Sequence, residues 1–300
     1  MASADSMKSI LYALCANMAI GVAKLAAALY TGSGAMLAEA VHSFADCGNQ
    51  GLLIWGLKVA KTPPSPDYPL GYGKAIYFWS FIVALMLFSL GGLFSIYEGL
   101  HKLSEPEQMQ APWIAIAVLT FGVIAESISL WGAMREINKL RGSKSLWRWA
   151  RESRQSELVV ILGEDIAALL GLVFALVAVS LAVITENPVY DAMGGIFIGI
   201  LLIAVAIFIG VEIKGLLIGQ GVEPEIKAAM LKKLEADPSV AKVFNLLTMQ
   251  LGNDVMVAIK AHVKADSAEE LVATINRLEA ELKATFPNIK WLFFEPDYHD

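Results

Sequence analysis

The chain has 300 residues, 56% of them hydrophobic and 17% charged, with a formal net charge of -6 and a mean hydropathy of +0.58. A soluble domain is nearer half apolar and about a quarter charged, so this balance excludes an ordinary soluble protein and points to a polytopic membrane protein. The acidic total excludes a nucleic-acid role, and two cysteines, Cys15 and Cys47, are too few for a disulfide framework or a thiolate zinc module.

Apolar stretches of about 20 residues or more, enough to cross a ~30 Å hydrocarbon core, recur six times. The spans fall at 7–30, 35–60, 74–100, 112–134, 156–184 and 189–217. The short N-terminus enters the first span without a small-residue cleavage site, so we expect no removable signal peptide. Gly32-Ser33-Gly34 makes a tight turn, and the prolines after Lys61 force a loop. The connection from Arg135 to Arg154 carries seven basic residues: Arg135, Lys139, Arg141, Lys144, Arg148, Arg151 and Arg154. By the positive-inside rule this loop and the Pro-rich loop are cytoplasmic, which puts both termini inside.

Composition changes near residue 220, giving a membrane domain over 1–220 and a soluble domain over 221–300. The tail predicts a helix at 223–236, strands at 240–251 and 255–264 around a Gly252-Asn253 turn, a helix at 267–286 and a strand at 289–295. Val255, Val257, Ile259, Ala261 and Val263 alternate at period two, the signature of a half-buried strand. The expected fold class is therefore a six-helix polytopic membrane protein with a small α+β, ferredoxin-like C-terminal cytoplasmic domain.

Span two carries Glu39, His42, Asp46 and Asn49. At about 100° per residue these positions fall within roughly 80° of arc, so one flank presents two carboxylates, an imidazole and an amide. A charged side chain at mid-membrane costs about 2.5–3.5 kcal/mol on insertion scales, so the stripe needs partners, and a cation is the obvious one. Span five carries the adjacent pair Glu164 and Asp165, whose side chains leave the helix about 100° apart. Imidazole nitrogen and carboxylate oxygen suit a four-coordinate divalent ion, and His42, Asp46 and one or both of Glu164 and Asp165 would supply the set if the two spans touch. The rival reading is a purely structural hydrogen-bonded cluster. Asn17, Lys24 and Glu126 are further intramembrane polar groups, for which interhelical packing explains as much as transport does.

The run His42-Ser43-Phe44-Ala45-Asp46, the acidic pair in span five, the six spans, the basic loop, the segment Tyr68-Pro69-Leu70-Gly71-Tyr72-Gly73-Lys74 and the ending Phe294-Glu295-Pro296-Asp297 together resemble the cation diffusion facilitator family. The resemblance implies a transporter for a divalent metal, most often Zn2+, working as a homodimer in the lipid bilayer and exchanging metal for protons. For a bacterial chain it implies the inner membrane. Transferred residue by residue, the transport ligands fall on His42, Asp46 and Asp165. The usual histidine of span five falls on Ile161, so Glu164 becomes the replacement ligand, with Glu39 and Asn49 as further contributors. A site of one imidazole and mainly carboxylates is harder than usual, which favours Mn2+ or Fe2+ as alternative cargo; Co2+ and Cd2+ also stay open. A cytoplasmic metal site would fall on His262, Glu295 and Asp297. The missing histidine also leaves room for a non-transporting partner subunit. An intramembrane enzyme lacks support, since no His-Glu-x-x-His run occurs.

Overall fold

The computed structural model describes the backbone of residues 2–105 and 108–299, with side chains from residue 17 onward within those limits; the side chain of Cys15 lies outside the described residues. α1 (Ala2–Thr31) and α2 (Gly34–Ala60) are separated by a turn at which Gly32 takes a left-handed φ of 72°, a conformation that costs glycine nothing. The Pro-rich segment carries no helix until α3 (Ala75–Met86). The third predicted span is not one continuous α-helix: a π-helical stretch, Leu87–Leu93, joins α3 to α4 (Phe94–Ser104). That stretch contains Gly91 and Gly92. α5 (Pro112–Leu140), α6 (Leu146–Glu152), α7 (Ser156–Thr185) and α8 (Val189–Ile218) complete the helical region.

Two compact units result. The first comprises the chain up to Trp55, Trp79–Ser143 and Glu157–Val211. Within it, the glycines permit a close crossing of backbones. A Cβ at Gly92 would lie 2.5 Å from Ile203 Cγ1, and one at Gly199 would lie 2.6 Å from the Gly92 carbonyl oxygen, so larger side chains at these positions would drive α8 from the π-helical stretch. α5 turns Trp113, Phe121, Ile124, Ile128 and Trp131 outward. Such a large apolar exterior needs lipid rather than water.

Among the described residues, four helical segments are long and apolar enough to cross a membrane: Ala75–Ser104, Pro112–Leu140, Ser156–Thr185 and Val189–Ile218. α1 and α2, at 30 and 27 residues, have the length. They are less apolar than the four, with Lys24 on α1 and Glu39, His42 and Asp46 on α2.

The second unit comprises Gly56–Phe78, Lys144–Ser156 and the chain from Glu212 onward. α6 was not expected inside the basic loop. Its start is capped by Ser145, whose Oγ accepts from the Arg148 backbone N–H at 3.3 Å, and Arg148 pairs with Glu152 one turn later at 2.7 Å. Lys144 then reaches three carboxylates, Glu223 at 2.9 Å, Glu152 at 3.2 Å and Glu225 at 3.3 Å. The basic loop thus spends much of its charge on acidic side chains of the same unit.

After α9 (Pro224–Glu235), β1 (Val240–Leu251) and β2 (Asp254–Val263) pair antiparallel around the Gly252-Asn253 turn, and α10 (Ala268–Thr285) carries the chain to β3 (Ile289–Pro296), which lies parallel to β2. A parallel neighbour requires such a crossover. Alternate β2 residues Val255, Val257, Ile259 and Ala261 meet Met230 and Leu234 of α9 and Leu278 and Leu282 of α10 in one apolar core. The described residues form a three-stranded sheet, one strand fewer than the β-α-β-β-α-β arrangement of a ferredoxin-like fold.

Asp237, between α9 and β1, is gripped by Arg277 of α10 at 2.7 and 3.0 Å and by the Ser239 hydroxyl at 2.5 Å. The guanidinium, then the serine, holds this carboxyl well below the ordinary carboxylate range. A depressed folded-state pKa stabilises the fold above the ordinary value and loses that contribution as pH falls through the depressed one. Asp237→Asn should therefore destabilise the C-terminal unit by about 1–2 kcal/mol at pH 7, with the difference shrinking below about pH 4. Hydrogen exchange of the sheet amides measures both.

Candidate metal centre

The polar stripe of α2 exists as its spacing predicts, but its members have different partners. Asn49, fully buried, donates from Nδ2 to Glu164 Oε1 at 2.6 Å. That bond ties α2 to α7, so the two helices touch. His42 is 1% exposed and its Nε2 stands 3.4 Å from Asp46 Oδ2. This contact is too poorly directed to be a hydrogen bond: both ring nitrogens of His42 and Oδ1 of Asp46 are buried without a hydrogen-bond partner. At the other end of the stripe, Glu39 Oε2 accepts from the Lys24 ammonium of α1 at 3.2 Å.

Buried polar atoms in folded proteins are nearly always hydrogen-bonded, because an unmade bond in a dry site costs about 1–3 kcal/mol. Two nitrogens and a carboxylate oxygen left unpaired side by side therefore need a reason. These atom types are those a divalent cation takes at about 2.0–2.2 Å. Asp165 points elsewhere, its Oδ2 accepting from Ser129 of α5 at 3.5 Å. A cleft of about 10 Å³, lined by Asn17, Ile20, Ser43, Asp46 and Glu126, opens beside Asp46, roughly the room one water needs. Among the described residues, no three His, Cys, Asp or Glu side chains stand gathered as a metal cage. The geometry provides one ready pair, His42 with Asp46; Glu126 shares its cleft, and Glu164 meets the same helix through Asn49.

A model of the cation efflux transmembrane domain matches residues 10–218. The chain belongs to the cation efflux, or cation diffusion facilitator, family. The matched region contains every intramembrane residue named above. Relatives include the mitochondrial proton-coupled zinc antiporter SLC30A9 of Mus musculus, 33% identical over 261 residues covering 86% of this chain and 46% of that protein. Metal tolerance protein C4 of Arabidopsis thaliana is 30% identical over 82% of this chain and 54% of its own length. The magnetosome protein MamB of Magnetospira sp. (strain QH-2) is 25% identical over 84% and 83%. The chain thus spans about half the length of the mouse and Arabidopsis relatives.

In this cation efflux protein, the predicted cytoplasmic residues are occupied in other ways. The Asp297 carboxylate meets Lys260 at 3.1 Å and accepts from the Tyr298 backbone N–H at 2.7 Å. Lys260 and these backbone donors hold it below its ordinary range. His262 packs edge-on against Tyr298 at 4.9 Å, and Glu295 sits opposite Lys260 in the β2–β3 register. The three are not drawn into one cluster.

Two residues carry more than sequence reasoning gave them. Glu126 shares the cleft with Asp46, and its signal was a lone carboxylate in an apolar helix. Asp191, at the start of α8, went unremarked. Its Oδ1 accepts from the Ser33 hydroxyl at 2.6 Å and its Oδ2 from the Gly34 backbone N–H at 2.6 Å, so it caps α2 from another helix. The signal was an acidic residue in the first turn after Pro188. Asp191→Ala should lower stability in detergent by about 2–4 kcal/mol, since it strands buried donors. Metal affinity should stay at the wild-type level, because Asp191 touches neither His42 nor Asp46. Thermal unfolding and metal titration of the purified variant check both halves.

Proposed function

We propose that this chain carries a divalent metal ion, zinc first, across its membrane in exchange for protons. The observation that supports this best is the buried pair His42 and Asp46: both imidazole nitrogens and Oδ1 of the carboxylate lack hydrogen-bond partners, as do one oxygen each of Glu39 and Asn49 on the same stripe. Family membership and the names of the zinc antiporter relatives support the cargo and the proton coupling. On this reading six helical segments span the bilayer, counting α1 and α2, whose polar stripe is the transport path. Residues 221–300 form a cytoplasmic module, ferredoxin-like but for its first strand, and two copies associate as a homodimer. The basic loop and both termini face the cytoplasm, across the inner membrane if the chain is bacterial.

The proton coupling follows from the ligand chemistry. Imidazole binds metal only when neutral and carboxylate only when ionised, so loading the site releases protons and protonation expels the ion. Alternating access then needs the α2 pair and the α7 carboxylates to converge on the cargo on one side and separate on the other. Asp165 completes the set by leaving Ser129, and Glu164 by leaving Asn49. Because Ile161 stands where a second imidazole would sit, the donor set is mainly oxygen, and this favours manganese or iron(II) as a second reading.

Purified protein in proteoliposomes tests the proposal. Under an imposed pH gradient, Zn2+ flux should be abolished by Asp46→Ala and by Asp165→Ala while both variants remain folded and inserted. Glu164→Ala should lower metal affinity by about 10–100-fold, the range seen when a metal site loses a supporting group, and Ile161→His in that background should recover zinc over manganese. Wild-type flux in Asp46→Ala would remove the assigned site. Manganese or iron(II) flux without zinc flux would select the second reading.

A further inference from the structure

Lys24 is a lysine buried to 1% exposure inside the membrane region of unit one, and it contacts α2, the helix of His42 and Asp46, at Glu39 and Ser43. Its ammonium donates to Glu39 Oε2 at 3.2 Å and to Ser43 Oγ at 2.8 Å. Glu39 lies one turn before His42 on α2, and Ser43 directly follows it. Glycines surround the pair and make room for it. A Cβ at Gly171 of α7 would lie 2.4 Å from Glu39 Oε1, and one at Gly122 of α5 would lie 3.6 Å from Lys24 Cε. Four helices thus meet around one ammonium and one carboxylate.

A buried ammonium paired with a residue one helical turn from His42 opposes the cargo, since like charges repel strongly in a low-dielectric site. Neutralised by Glu39 it does so less, and in return it takes a carboxylate oxygen that would otherwise join the stripe. We propose that Lys24 is a resident counter-cation that sets the affinity of the site: by pairing with Oε2 of Glu39, whose Oε1 has no hydrogen-bond partner, it holds this carboxylate back from the transported metal. The inference rests on the transport reading above. Under it, Glu39 is not a ligand, although it shares the face of His42 and Asp46. The device keeps the site weak enough to release its ion, because fewer carboxylates hold it.

The test is metal binding by titration calorimetry on the full-length protein in detergent, with zinc chloride as the probe, on Lys24→Met, Glu39→Gln and the double variant. Lys24→Met should bind zinc at least about tenfold tighter than wild type, the scale on which a partner of a metal site changes affinity. Glu39→Gln should bind it weaker by a similar factor, because the ammonium is no longer neutralised. The double variant should return to within about threefold of wild type, since removing both members of a buried pair is commonly tolerated. A double variant as weak as Glu39→Gln would show that Glu39 is itself a ligand and would overturn the inference. So would unchanged affinity in Lys24→Met. If Lys24→Met does not insert, the comparison of Glu39→Gln with the double variant decides alone. Absence of zinc binding in the wild type would instead remove the transport reading, so the two failures are distinguishable.

Discussion

An apolar helical region tolerates ionisable side chains only where each has a partner, and that constraint orders the first unit. Lys24 goes to Glu39 and Ser43, Asn49 to Glu164, Ser129 to Asp165, and Asp191 to the N-terminus of α2. Each pairing joins two helices. The contacts that pay for burying charge are therefore also the contacts that hold α1, α2, α5, α7 and α8 in register. Against this background His42 stands out, because neither of its ring nitrogens has a hydrogen-bond partner, and Asp46 Oδ1, Glu39 Oε1 and Asn49 Oδ1 beside it on α2 are likewise unpartnered.

The proposed function draws on that imbalance. A site whose ligands already bonded to protein would need those bonds broken before cargo could enter. On the proposed reading His42 and Asp46 need no such step, whereas Glu164 and Asp165 would each give up one bond to reach the ion. A division into ready and committed ligands suits a transporter, which must bind and then release. Glu39 stands outside this division, held by Lys24.

Much of this was legible from residues alone because helical spacing fixes faces. The i, i+3, i+7, i+10 placement of Glu39, His42, Asp46 and Asn49 put one stripe on α2, and the alternation from Val255 to Val263 marked β2. What the stripe's members touch was not legible, since partners come from helices distant in sequence: Asn49 and Glu164 are 115 residues apart, Ser33 and Asp191 158. The π-helical stretch at Leu87–Leu93 also escaped, because a glycine pair reads as a packing site whether or not the helix widens around it. α6 escaped for the opposite reason. Its seven residues form a helix through the Ser145 cap and the Arg148–Glu152 pair, neither visible in a hydropathy pattern.

The central claim is that the intramembrane site binds zinc through one imidazole and carboxylates, without sulfur. Zinc K-edge X-ray absorption on the loaded wild-type protein tests it most directly. We predict a first shell of nitrogen and oxygen at about 2.0–2.2 Å, with the outer-shell scattering of one imidazole that disappears in His42→Ala. A sulfur shell at about 2.3 Å, or an imidazole signal that persists in His42→Ala, would contradict it.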